Sequence, residues 1–148
     1  MKVLVAYDGT LQAKDALRYG AAKVKENGGE LLALHVFDSN IFIGYDSHPR
    51  AKEMAKAESD AFVDKAIKIM RAEGKGVKAS ITVAEGDPEK EIIDFAKEER
   101  VDVLLCPPKY KSIISRYKRA LRAEGKNPVE DAVLDETEKL KMAVVTTK

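Results

Sequence analysis

An acid, a glycine and a hydroxyl follow the first apolar run of the chain as Asp8-Gly9-Thr10. At a strand end a carboxylate has two chemical uses. Asp8 can meet polar groups of a ligand, or it can cap the helix that follows. Gly9-Thr10 reads as the strand-to-helix turn, and a helix N-terminus there can receive an anion. Far along the chain, Cys106 closes another apolar run, and Lys109 and Lys111 follow it. A thiol near cations can become a nucleophile, but cysteine is commonly interior and inert, and the inert reading is preferred. Lys109 and Lys111 offer charged side chains to an anion. His35 falls inside a strand pattern and reads as packed. With His48 in a loop and one cysteine in the chain, no metal-ligand set forms. Asp87 and Glu89 flank Pro88 and read as helix-start chemistry rather than an acid/base pair. The sequence offers no set of nucleophile, base and orienting group, so no reaction is named and an enzyme is not expected.

The most distinctive stretch is 109–126. It carries Lys109, Lys111, Arg116, Lys118, Arg119, Arg122 and Lys126 against Glu124 alone. Ile113, Ile114, Tyr117, Ala120 and Leu121 recur within it at helical spacing, which predicts an amphipathic helix with a solvated basic face. Two functional alternatives stand beside that reading. Clustered cations with Tyr110 and Tyr117 nearby can contact nucleic-acid phosphates, or the face can dock an acidic protein partner. No recognised nucleic-acid module surrounds it.

Positioning these residues falls to strands alternating with helices. Residues 2–7 (KVLVAY) and 31–37 (LLALHVF) are short, almost continuous apolar runs, as expected of strands buried on both faces. A helix between them starts near Leu11, buries Ala13, Ala16, Leu17, Gly20, Ala21 and Val24, and stops at Asn27-Gly28-Gly29. A polar loop over 38–49 leads to a long helix over about 50–73. Residues 77–84 alternate, with Val77, Ala79, Ile81 and Val83 on one face and Lys78, Ser80 and Thr82 on the other, the pattern of a strand at a sheet edge. Asp87 caps the next helix and Pro88 takes its first position; Ile92, Ile93 and Ala96 form its buried stripe. Residues 101–106 are the fourth strand. Asn127-Pro128 predicts one more helix, acidic, with Val129, Ala132, Val133 and Leu140 inward. Residues 142–147 close the chain as a fifth strand.

Such alternation implies crossover connections and a parallel sheet covered on both faces. Ligands of such sheets bind beyond the carboxyl ends of the strands, where the strand order reverses. With the first strand central, that reversal falls between strands one and four, and residues 6–10 and Cys106 onward line it.

Bulk properties narrow the setting. The 148 residues fit one domain, 1–148. Lys+Arg of 26 against Asp+Glu of 25 leaves a net charge of +1, which demands neither nucleic acid nor anionic lipid as a partner. The 34% charged fraction, mostly Lys and Glu, leans toward a heat-adapted source. One cysteine suits a reducing, cytoplasmic setting. No apolar run approaches membrane-spanning length, and the Met-Lys start leads directly into a strand, so no signal peptide is expected.

The segments VLVAYDGT at 3–10, LHVFD at 34–38 and GDPEKEIIDFAKEERVDVLL at 86–105 resemble the universal stress protein (UspA-like) family. Together with the element order they cover about two-thirds of the chain. The resemblance implies an α/β fold with a doubly wound, five-stranded parallel sheet in the order 3-2-1-4-5. This is a Rossmann-like three-layer sandwich of the adenine nucleotide alpha hydrolase-like kind. It also implies a homodimer, here through the last strand near Val144 and Val145. Family members that bind ATP hold base and ribose near the ends of strands 1, 2 and 4, and Ala6, Asp8 and Val36 match those contacts by position. They hold phosphates with G-x2-G-x9-G-[S/T] after strand 4. In this chain Cys106 is followed by PPKYKSIISRYKRALRAEGK, with no glycine before Gly125. Phosphate nests are built from amides free to take positive φ, and Pro107 and Pro108 have no N–H and a fixed negative φ. The leading expectation is therefore a non-catalytic stress-type regulatory or binding protein with no cofactor. The alternative is an ATP/Mg-binding member with a remodelled phosphate site, using Asp8, Val36 and the lysines after strand 4, with weak ATP hydrolysis at most. Nucleic-acid binding through 109–126 is the third reading and is not expected.

Overall fold

The computed structural model describes residues 1–37, 48–106, 111–132 and 143–147. In chain order the elements are β1 (Lys2–Ala6), α1 (Leu11–Asn27), β2 (Glu30–Phe37), α2 (His48–Glu73), β3 (Lys78–Glu85), α3 (Pro88–Glu98), β4 (Val103–Cys106), α4 (Lys111–Ala123), β5 (Pro128–Ala132) and β6 (Ala143–Thr147). They build one six-stranded sheet in the order β3-β2-β1-β4-β6-β5. The four strands β3, β2, β1 and β4 are parallel, with Val5 beside Ala33 on one side and Leu105 on the other.

The apolar runs explain the layers. β1 and β4 are buried on both faces, so alternate residues feed two cores. Val3, Val5, Tyr7, Leu31, Ala33 and Leu105 meet the stripe of α1 and Ala66 and Met70 of α2. Leu4, Ala6, Leu34, Leu104 and Cys106 meet Ile92 and Ala96 of α3 and Ile113, Ile114, Tyr117 and Leu121 of α4. Gly20 lets α1 close onto β2, because a β-carbon there would stand 2.7 Å from Leu31 Cδ1. The expected inward residues of α1 are all buried. Asp87 accepts the Lys90 N–H at the start of α3, with Pro88 in the first turn. β3 is an edge strand, as its alternation requires, with Val77, Ala79 and Ile81 packed against the first core.

Two expectations are corrected. The segment after Asn127 is a strand, not a helix: β5 pairs antiparallel with β6, Val129 beside Thr146 and Ala132 beside Ala143. Proline is as acceptable at the first residue of a strand as in the first turn of a helix, so Pro128 did not decide the matter, and tertiary pairing did. Val133 and Leu140 lie outside the described residues. The last strand also runs antiparallel to β4, with Leu104 beside Val145 and Leu105 beside Val144. The parallel part of the sheet thus has four strands, not five. The α4 crossover leads to β5, which runs parallel to β4, and β6 returns to fill the gap between them. It follows that Val144 and Val145 occupy an interior strand paired on both sides, and cannot serve as a free edge for a partner. Among the described residues no helix is long and apolar enough to cross a membrane.

Candidate functional site

Chain order fixes where a ligand can enter. β1, β2 and β3 are linked by α1 and α2 on one face, and α3 and α4 lie on the other, so the order reverses between β1 and β4. The carboxyl ends of β1, β2 and β4 meet there. Tyr7 extends β1 by donating its N–H to the Leu34 carbonyl at 2.8 Å.

The turn after β1 is tied internally. Asp8 Oδ1 accepts from the Thr10 N–H at 3.1 Å and from the Thr10 hydroxyl at 2.6 Å. Thr10 Oγ1 in turn accepts from the Ala13 N–H at 3.2 Å, so Thr10 caps α1 and Asp8 orients the cap. This corrects the reading of Asp8 as a direct helix cap. Gly9 has φ +79°, and a β-carbon there would lie 2.6 Å from the Phe62 ring. Only glycine both adopts that conformation and admits the ring.

On the α2 side, Phe62 stands edge-on to His35, ring centroids 5.3 Å apart. His35 is packed, and its Nδ1 lies 3.0 Å from the Tyr7 carbonyl oxygen. A carbonyl only accepts, so Nδ1 carries the proton. The Tyr7 and Ser59 side chains are both buried, with hydroxyls that meet no hydrogen-bonding partner among the described residues. Burial, with the Asp8 charge added, pushes the Tyr7 phenol above its ordinary value of 10.0.

On the opposite face Ala6 and Cys106 are fully buried, and Val36 is partly buried against the same core. Cys106 belongs to the core that α3 and α4 cover. The structure brings Ala6, Val36 and Cys106 to one face and places Asp8, Gly9 and Thr10 in the turn above them. Lys109, with Pro107 and Pro108, lies outside the described residues, and Lys111 opens α4. Tyr7, Ser59 and Phe62 were not singled out in sequence. A tyrosine ending an apolar strand was the available signal for the first; the other two are remote in sequence and gave none.

The basic helix is anchored at its start. Glu89 of α3 accepts from the Ser112 hydroxyl and pairs with Arg116 at 2.8 Å. Glu124 lies between Lys97 at 3.7 Å and Lys126 at 3.4 Å. Ile113, Ile114, Tyr117 and Leu121 are buried, so Tyr117 is not offered to a base. Among the described residues no group of three His, Cys, Asp or Glu is arranged to hold a metal ion.

Comparison with known proteins gives a consistent set of relatives. The chain matches the Universal stress protein family over residues 1–138. A universal stress protein of Methanocaldococcus jannaschii is 29% identical over 107 residues, covering 70% of this chain and 62% of that protein. The chain thus matches less than two-thirds of that relative's length. A protein of the universal stress protein family from Burkholderia pseudomallei superposes with a TM-score of 0.65 at 23% identity, over 82% of this chain and 89% of the other. A universal stress protein from Archaeoglobus fulgidus, solved in complex with dAMP, gives 0.61 at 21% identity over 81% and 90%. At such identities the structural likeness establishes the fold.

Proposed function

The chain belongs to the universal stress protein family, and from that premise we propose that it is a non-catalytic binding or regulatory protein whose crevice does not cradle a polyphosphate. The observation that carries this is the connection after β4. β4 ends at Cys106 and α4 begins at Lys111, leaving four residues between them, two of them prolines. A G-x2-G-x9-G-[S/T] motif is longer than this connection, so its span, counted on from Cys106, runs into the next helix. Here that length is α4, whose amides beyond the first turn are engaged within the helix. The donors left for an anion are those of the first turn of α4 and the lysine side chains. The setting is proposed to be cytoplasmic, with this domain acting as a unit.

A second reading keeps the nucleoside end of the site. The dAMP bound to the Archaeoglobus fulgidus relative has a single phosphate and places little demand on a glycine cradle. Ala6, Val36 and the Asp8 turn would flank the base and ribose. Analysis of the supernatant after denaturing the purified protein separates the two. An empty supernatant supports the first reading, AMP-class nucleotide supports the second, and stoichiometric ATP overturns the proposal.

A further inference from the structure

We propose that the cleft between the end of α2 and the start of β3 binds an amphipathic anion, an aliphatic chain that ends in a carboxylate. The cleft follows from how the sheet edge is covered. On that side the first core ends at α2 and at β3, the edge strand. Val77, Ala79 and Ile81 pack against the core yet stay only partly buried. With Ile67 and Met70 of α2 they line a cleft of about 470 Å³. Small-molecule sites run from about 300 to 1,000 Å³. Gly74, just past the end of α2, also lines the cleft. A β-carbon there would stand 2.5 Å from the Met70 carbonyl oxygen, so no larger residue closes the opening from that side.

The charge of the lining selects the ligand. Arg71 stands one helical turn beyond Ile67 on the same flank of α2. Among the described residues it is the one charged group lining the cleft, and no carboxylate among them pairs with it. An arginine fork matches a carboxylate and holds it through two parallel N–H···O bonds. The apolar side chains beside it offer no hydrogen bonds, so a sugar or a polyphosphate laid against them would leave its own polar groups unpaired. An apolar chain with one terminal carboxylate satisfies both parts of the lining. The cleft lies toward the amino end of β3, where Ala79 is beside Leu31, and the crevice lies at the carboxyl ends, beyond Phe37 and Glu85. The two sites are separate, and nucleotide in the crevice neither supports nor removes this one.

Decanoate titrated into the full chain, labelled with nitrogen-15 and followed by amide chemical shifts, is the test. Saturable shifts should concentrate on residues 67–81, and acetate, which has no aliphatic chain, should produce none. Arg71→Gln changes an exposed helix position and leaves the apolar wall in place. It should weaken decanoate about tenfold through loss of the charge-assisted contact, and leave the binding of decanol unchanged. Equal affinity of the two proteins for decanoate overturns the proposal. So does an absence of saturation up to millimolar decanoate, or a set of shifts centred on the β1–β4 crevice. Cleft shifts that follow protein concentration rather than decanoate would assign the cleft to a second copy of the chain, and would overturn it too.

Discussion

Replacing Gly9 by alanine tests the packing at the head of the site. Gly9 sits at φ +79°, and the added β-carbon would fall 2.6 Å from Cδ1 and Cε1 of Phe62, both ring atoms rather than the end of a flexible chain. Two costs add. The left-handed conformation costs a residue with a β-carbon about 1–2 kcal/mol. Forcing a methyl against the ring costs about 1–3 kcal/mol more, since Phe62 is held against His35 and the core. The sum, about 2–5 kcal/mol, is a large share of the roughly 5–15 kcal/mol that holds a domain folded. With a urea slope of about 2 kcal/mol/M, the midpoint of unfolding should fall by about 1–2.5 M. The two parts separate in a cycle with Phe62→Ala. In that background the clash is gone, and Gly9→Ala should cost only the conformational part. A full-size cost with Phe62 absent, or a cost below about 0.5 kcal/mol with Phe62 present, would refute the account of the turn.

Thr10→Ala should cost about 1 kcal/mol by loss of the α1 cap, and Thr10→Ser should recover most of it, both read by urea unfolding. Tyr7→Phe should leave stability at pH 7 unchanged or raised, because the buried hydroxyl it removes has no partner among the described residues. The same variant tests the Tyr7 titration. The folded state holds the phenolic proton more tightly than the unfolded one, so Tyr7 contributes its full stability below pH 10.0 and loses it as pH rises toward the higher folded value. Wild type should lose stability above that pH more steeply than Tyr7→Phe, and equal slopes would contradict the burial argument. Glu89→Gln should cost less than about 1 kcal/mol, because its Arg116 partner is a largely exposed side chain. It should instead raise exchange of the hydrogen-bonded amides of the second turn of α4, and unchanged exchange there would show that Glu89 does not anchor that helix.

Elements whose signals are local were legible in the sequence. β1 and β4 are short, almost continuous apolar runs bounded by turn residues, and α1 and α3 carry their own start and stop residues. The end of the chain was not legible for a physical reason. PVEDA at 128–132 has a weak preference for either state, and its strand exists because β6 lies beside it. The direction of β6 depends on which strand the α4 crossover reaches, which no local pattern records. The site divided in the same way. The Asp8-Gly9-Thr10 turn could be placed, but Asp8 and Thr10 are both competent caps, and only the hydrogen bonds assign the cap to Thr10. The wall formed by Phe62 and His35 joins residues of different elements, and periodicity within either element says nothing of the other.

The central claim, that the crevice between β1 and β4 has no polyphosphate cradle, is met most directly by thermal unfolding in a rising series of Mg-ATP. A ligand at 100 times its dissociation constant adds about 2.7 kcal/mol to the folded state, a shift that melting resolves easily. The account predicts an unchanged midpoint up to millimolar Mg-ATP. A saturable rise with Mg-ATP, larger than that given by AMP at the same concentration, would contradict it.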